Sequence, residues 1–150
     1  MTVYQEGEFL ISTDKDRLDI DVIHNWLSKE SYWAKDIPRD IVERAIAGSM
    51  CFGIYHGDAL VGFGRLTTDK ATFAYLMDVF VLKEWRGRGL SKMLMKAMLE
   101  HPELQGLRRW LLVTSDAHGL YSQFGFTPMP DPGKIMTLAM TDPYAKKSAE

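Results

Sequence analysis

Val79-Phe80-Val81-Leu82-Lys83-Glu84-Trp85-Arg86-Gly87-Arg88-Gly89-Leu90-Ser91 is the stretch on which the fold turns. An apolar, β-branched run passes through a glycine-bearing loop into a segment whose apolar residues, Leu90, Met93, Leu94, Ala97 and Met98, recur at helical spacing. A strand entering a helix through such a loop forms an anion site. The first turn of a helix leaves backbone N–H groups without internal partners, and the helix dipole adds positive charge there. Gly87 and Gly89 allow a ligand to approach, and Arg86 and Arg88 can add charge-assisted hydrogen bonds or remain solvated. Two nucleotide patterns fail on residues. The dinucleotide fingerprint needs a third glycine where Lys92 stands, and the Walker pattern needs Gly-Lys-Ser/Thr where the order is Ser91-Lys92. A purely structural loop stays open at this point.

Working outward, the residues before this stretch read as a meander. Strands are expected over Met50 to Tyr55, Leu60 to Thr67 and Thr72 to Leu82, with turns at His56-Gly57-Asp58 and Asp69-Lys70. Upstream lie two amphipathic helices. One carries Ile20, Ile23, Trp26 and Leu27; Pro38 opens the other, which carries Ile41, Val42, Ala45 and Ile46 and stops at Gly48. Downstream, a strand is expected over Arg109 to Thr114. Asp116 is placed to cap a helix bearing Ala117, Leu120, Tyr121 and Phe124, with Gly125 as its stop, and Ile135 to Met140 reads as a closing strand. With an edge strand around Phe9 to Ser12, the order ααβββαβαβ predicts an α/β (α+β) fold: a mixed, mainly antiparallel sheet with helices on both faces. The domain is expected to span residues 1–140, with 141–150 a polar C-terminal tail, disordered or a short packing arm.

Composition narrows the function classes. At 150 residues the chain has room for one domain, which buries roughly 68–70% of its unfolded surface without needing a disulfide or structural metal. Cys51 is the single cysteine and the four histidines are scattered, so no metal site is expected. A net charge of −2, from 18 basic and 20 acidic residues, argues against a nucleic-acid partner. The apolar stretches fall far short of the ~20 residues a spanning helix needs, and the opening MTVYQEGEF has no basic-then-apolar leader. The expectation is a cytoplasmic protein without a membrane partner.

A second motif now gives the loop a context. Arg86-Gly87-Arg88-Gly89-Leu90-Ser91 together with Leu120-Tyr121-Ser122-Gln123-Phe124-Gly125-Phe126 resembles the GCN5-related N-acetyltransferases (GNAT), small bacterial-type members included. The phosphate loop of that family reads Arg/Gln-x-x-Gly-x-Gly/Ala, and its later motif reads Leu/Phe-Tyr-x-x-x-Gly-Phe. Ser91 departs from the usual Gly or Ala but is small. The resemblance covers Met50 to Pro128 well and the two early helices loosely.

The resemblance implies acetyl-coenzyme A as acyl donor, no metal, and a strand with splayed edges at Asp78 to Leu82. A bulge there would free backbone groups of Phe80 and Val81 for the pantetheine arm and the acetyl carbonyl, and the amides of Arg86, Gly87, Arg88, Gly89, Leu90, Ser91 and Lys92 would meet the pyrophosphate. Thr114 stands where many relatives carry a pantetheine-binding Asn. Tyr121 occupies the place of the tyrosine that protonates the departing thiolate; its other reading is a core aromatic, a place that Phe would fill as well.

Candidates for the remaining chemistry come from residue type. An alkyl ammonium of pKa ~10 must lose a proton before it attacks, and Asp78 is the carboxylate best placed to take it, unless it instead satisfies bulge amides. His118 is a minor base candidate. Tyr32 and Trp33, in the connection between the early helices, can line the acceptor pocket, with Trp33 alternatively plugging the core edge. Arg65 either faces that pocket, to select an acidic group, or pairs with a surface acid. The expected activity is transfer of an acetyl group to a primary amine, of a small molecule or a protein, by direct attack in a ternary complex. The other reading is a degenerate member that binds coenzyme A as a sensor. A homodimer stays open, since dimers are common in the family and among soluble proteins.

Overall fold

The computed structural model of the protein describes residues 2–144. Six strands form one sheet in sequence order: β1 (Thr2–Glu6), β2 (Phe9–Ser12), β3 (Met50–His56), β4 (Ala59–Thr68), β5 (Phe73–Val81) and β6 (Arg109–Leu111). Every neighbouring pair is antiparallel except β5 and β6, which run parallel. The turns are set by local chemistry. Gly57 takes φ +60° in the two-residue connection between β3 and β4. Asp69 closes the β4–β5 turn by accepting from the N–H groups of Ala71, Thr72 and Phe73 and from the Thr72 hydroxyl, at 2.6–3.2 Å. Those four donors hold its carboxyl far below the usual carboxylate range.

Helices cover both faces. On one face, α1 (Ile20–Lys29) and α2 (Arg39–Ala47) bury Ile23, Leu27, Val42 and Ile46 against Cys51, Tyr55, Phe63 and Phe80. Asp19 caps α1 by accepting from Val22 N–H at 3.2 Å. On the other face, α3 (Leu90–Leu99) buries Leu90, Met93, Leu94 and Met98 against Phe52, Ile54, Leu66 and Leu76. Gly64 permits that approach: a Cβ there would lie 3.0 Å from both Leu94 and Met98. A short α4 (His118–Ser122) follows β6.

Four features differ from the sequence-based expectation. β1 is an added strand, paired with β2 through a turn in which Gly7 takes φ +60°; the segment is short and largely polar, so its sequence carries little strand signal. The parallel pairing at β6 stops at Leu111. α4 is one short turn-and-a-half, and Asp116 does not cap it. Thr114 Oγ1 accepts from Ala117 N–H at 3.0 Å instead, because the chain turns two residues earlier than the acidic residue suggests. Finally, Ile135 to Met140 forms no strand and pairs with none among the described residues. The segment is exposed, with Met136, Leu138 and Met140 at 92, 104 and 80%. Of the expected tail, Tyr144 packs against the α1/α2 core, and residues 145–150 lie outside the described residues.

Candidate active site

The cleft originates in an irregularity of β5. Between the pairs Phe63↔Phe80 and Arg65↔Met77, β4 advances two residues while β5 advances three. The extra residue is a β-bulge, and Asp78 sits in it at φ +55°, a left-handed conformation that Asp tolerates better than most side chains. On its other side β5 meets β6 only through Phe73↔Arg109, Ala74↔Trp110 and Tyr75↔Leu111. Beyond that the two strands part. The Leu82 N–H is bonded to Val61 O at 2.9 Å on β4, so strand alternation turns the N–H and C=O of Val81 away from β4 and into the opening. The Val81 carbonyl there accepts from Arg86 Nε at 3.1 Å. Phe80 pairs back to Phe63, and its ring stacks on Trp26 at 4.6 Å and 7°.

The glycine loop lies at the end of this opening. Gly87 and Gly89 adopt φ +79° and +76°, and Gly89 is the N-cap of α3. A Cβ at either would meet nothing within 4 Å, so the backbone conformation, rather than close packing, is what demands glycine. A cavity of about 270 Å³ is lined by Val81, Arg86, Gly87, Gly89, Leu90, Ser91 and Lys92, bringing together most of the loop residues expected from sequence. Arg88 is turned away. Its guanidinium lies 5.0 Å from the Trp85 ring, on the side facing Tyr4 and Phe9.

Leu120 of α4 reaches that cavity, and the next residue, Tyr121, lines a second, larger one of about 670 Å³ beside β6. Tyr121 is buried, 8% exposed, and its ring meets Phe126 edge-on at 6.0 Å. Burial, with added repulsion from Asp116 and Tyr32, raises its hydroxyl above the ordinary phenol value. His118 is exposed. Thr114 also lines the larger cavity while its hydroxyl serves the α4 turn.

The α1–α2 connection spans the cleft through two side chains. Tyr32 Oη accepts from Ser115 Oγ at 2.8 Å, and Trp33 Nε1 donates to Asp78 Oδ1 at 2.7 Å. Asp78 Oδ2 accepts from Arg65 Nε at 2.7 Å, and Arg65 Nη1 donates to Ser49 Oγ at 2.9 Å. Both oxygens of Asp78 are therefore engaged by side chains rather than by bulge amides. Its partner Arg65 pairs with this largely buried acid rather than with the surface acid expected from sequence. Trp26, Trp33 and Tyr32 form a run of ring contacts ending on Phe80, with centroids 4.6–5.6 Å apart. Nothing in the sequence distinguishes Ser49, which is buried, or Ser115 from the other serines of the chain. No group of three or more potential metal ligands occurs among the described residues.

For this bulged, splayed strand feeding a glycine-capped helix, comparison with known proteins assigns the family. Residues 20–126 match the model of the Acetyltransferase (GNAT) family, and the chain belongs to it. It is similar to two proteins each named a "putative acetyltransferase". One, from Gibberella zeae, is 34% identical, with 80% of this chain and 79% of that protein covered. The other, a solved structure from Xanthomonas campestris pv. campestris, is 51% identical at a TM-score of 0.91, covering 95% of this chain and 100% of that one. A GNAT-family acetyltransferase from Elizabethkingia anophelis, solved with acetyl-CoA bound, shares the fold at a TM-score of 0.61 and 12% identity, over 81% of this chain and 78% of that one. Among the described residues, no helix is long and apolar enough to cross a membrane.

Proposed function

We propose that the protein transfers an acetyl group from acetyl-coenzyme A to a primary amine, carried by a small molecule or a protein, by direct attack within a ternary complex. The observation that carries this reading is the cradle formed by Gly87, Gly89, Leu90, Ser91 and Lys92 beside Val81, whose N–H is turned away from β4, with α4 bringing Leu120 to that cavity and the buried Tyr121 next to it in sequence. When bound, acetyl-coenzyme A supplies an activated thioester.

In this scheme the backbone amides of the loop and of the first turn of α3 hold the pyrophosphate, helped by the helix dipole. The N–H of Val81 donates to the acetyl carbonyl, where negative charge develops as the amine nitrogen adds to carbon. Collapse of the tetrahedral species breaks the carbon–sulfur bond. Tyr121 gives its proton to the departing thiolate and regains one from solvent. Its raised pKa suits this role, because the phenol stays protonated at neutral pH.

Tyr32 and Trp33 form the acceptor wall. Asp78, with both oxygens bonded, holds Trp33 in place rather than meeting the amine itself, and the amine's proton leaves to water in the open cleft.

Tyr121→Phe tests the assignment. Free-thiol release from acetyl-coenzyme A with an amine panel should fall ~10²-fold in kcat, with the dissociation constant for acetyl-coenzyme A nearly unchanged. Equal turnover in the variant would refute the acid role.

A further inference from the structure

The charged groups on the acceptor side of the cleft neutralise each other. Arg65 and Asp78 meet at 2.7 Å, both largely buried, and their other hydrogen bonds go to Ser49 and Trp33. Arg65 therefore offers an acidic acceptor no unpaired charge, and Asp78 offers none to a cationic one. Drawing either group out of the pair would strand its partner in the wall.

Ring surface is what this wall presents instead. Tyr32 is 65% and Trp33 40% exposed, and their rings meet edge-on with centroids 4.9 Å apart. The connection that carries them is nevertheless tied down. Ser31 Oγ donates to Leu27 O at 2.6 Å and accepts from Ala34 N–H at 3.0 Å, Asp36 N–H donates to Ser28 O at 3.0 Å, and His24 Nε2 donates to Ile37 O at 2.9 Å. A preformed wall loses little freedom when a ligand covers it. The sheet extends the same surface: by register, Met77, Tyr75 and Leu111 share the face of Arg65, and all three are half-buried and outside the packed core of that face. At the other end of the wall, Tyr32 Oη accepts from Ser115 Oγ, which brings the rings to the turn leading into α4. Asp116, next in the chain, is exposed and leaves α4 uncapped; after burial, its charge does most to raise the Tyr121 pKa. That end of the cleft attracts a positive group.

We infer that the acceptor is an aryl-alkyl monoamine, with a flat apolar ring seated against Tyr32 and Trp33 and a short alkyl chain carrying one primary ammonium to the Tyr121 side. This rests on the acetyl-transfer reading and narrows its acceptor. Both ends of such a molecule find matching chemistry. A ring laid on Tyr32 and Trp33 buries apolar area in ring–ring geometry. Exposed ring faces and the Asp116 carboxylate favour a single nearby cation. The closed Arg65–Asp78 pair gives nothing to the further ammonium groups of a polyamine or to a carboxylate on the acceptor, which is discrimination by an unmet charge.

Free-thiol release from acetyl-coenzyme A tests this, with phenethylamine, butylamine, spermidine and β-alanine compared by kcat/KM per unprotonated amine. Phenethylamine should exceed each of the others by ~10-fold or more, the scale on which an apolar pocket discriminates. Tyr32→Ala should cut its advantage over butylamine by ~3-fold or more, within the range of one aromatic contact, whereas Tyr32→Phe, which keeps the ring and loses the bond to Ser115, should retain it. Another amine matching phenethylamine on the wild type, an advantage that Tyr32→Ala leaves intact, or one that Tyr32→Phe also loses overturns the proposal. If none of the four is acetylated, the transfer reading fails by itself, and calorimetric binding of the same amines with coenzyme A present decides this one. Phenethylamine bound ~10-fold more tightly than spermidine supports it, and equal or weaker binding overturns it.

Discussion

Replacing Arg65 by Met would strand the Asp78 carboxylate at the bulge. The two side chains are 13 and 10% exposed and meet at 2.7 Å, so solvent screens the pair little. Removing one partner of a buried pair costs about 3–5 kcal/mol, and Asp78 keeps the Trp33 N–H, which places the expected loss near the lower end, ~3 kcal/mol. For a chain of this size that is a fall in Tm of about 6–12 °C. Asp78→Asn is the right second arm, since Asn also tolerates the left-handed φ and still accepts from Trp33, whereas an apolar residue would add backbone strain. In a double-mutant cycle read by urea denaturation, Arg65→Met/Asp78→Asn should be less destabilised than the sum of the singles, with a coupling of ~1–3 kcal/mol. Additive losses, or an Arg65→Met variant within ~1 kcal/mol of wild type, would refute the claim that this pair holds the bulge.

The other predictions follow from single groups. Burial raises the Tyr121 pKa, so the protonated acid persists past the ordinary phenol value and kcat should show no Tyr121-dependent fall below about pH 10; a fall centred below pH 9 that disappears in Tyr121→Phe would contradict this. The same shift favours the folded state at lower pH, and that contribution is lost as pH rises through the folded-state pKa, visible as a declining Tm above about pH 10. Cys51 is 1% exposed and its thiol is pushed up to about 11 by burial, so a disulfide reagent at pH 8 should leave it untouched until urea unfolds the chain. Rapid stoichiometric labelling of the native protein would overturn that. Gly64→Val, which drives a side chain into Leu94 and Met98, should cost about 1–3 kcal/mol by urea denaturation, and a neutral result would mean that α3 sits farther from the sheet.

Much of the frame was legible because its signals are local. Helical periodicity places Ile23 and Leu27, Val42 and Ile46, and Leu90, Leu94 and Met98 on buried faces, and they are buried. Turn chemistry at Gly57 and Asp69 marks the hairpins, and the loop from Arg86 to Gly89 marks the entry to α3. The bulge was expected from family resemblance and is found at Asp78, but its electrostatic consequence was not readable. Arg65 faces Asp78 only because β5 carries one residue more than β4, a register that no single strand encodes. The cap of α4 is hidden in the sequence for a related reason. Asp116 and Thr114 both have capping side chains, and which one reaches an amide depends on where the chain leaves β6. Ile135 to Met140 has the alternation of a strand, and alternation gives a face to bury without naming the edge that receives it.

The central claim, that Gly87 to Lys92 form the phosphate cradle of an acyl-coenzyme A site, meets its most direct test in thermal unfolding with and without acetyl-coenzyme A. At ~100 times its dissociation constant the ligand adds ~2.7 kcal/mol, a rise in Tm of about 5–10 °C. NADH and ATP serve as controls. Gly89→Glu serves as the site control, placing a carboxylate on the N-cap of α3 at a φ of +76° that side chains resist. The account predicts a rise with acetyl-coenzyme A alone, lost in Gly89→Glu. No rise in the wild type, or an equal rise in the variant, would contradict it.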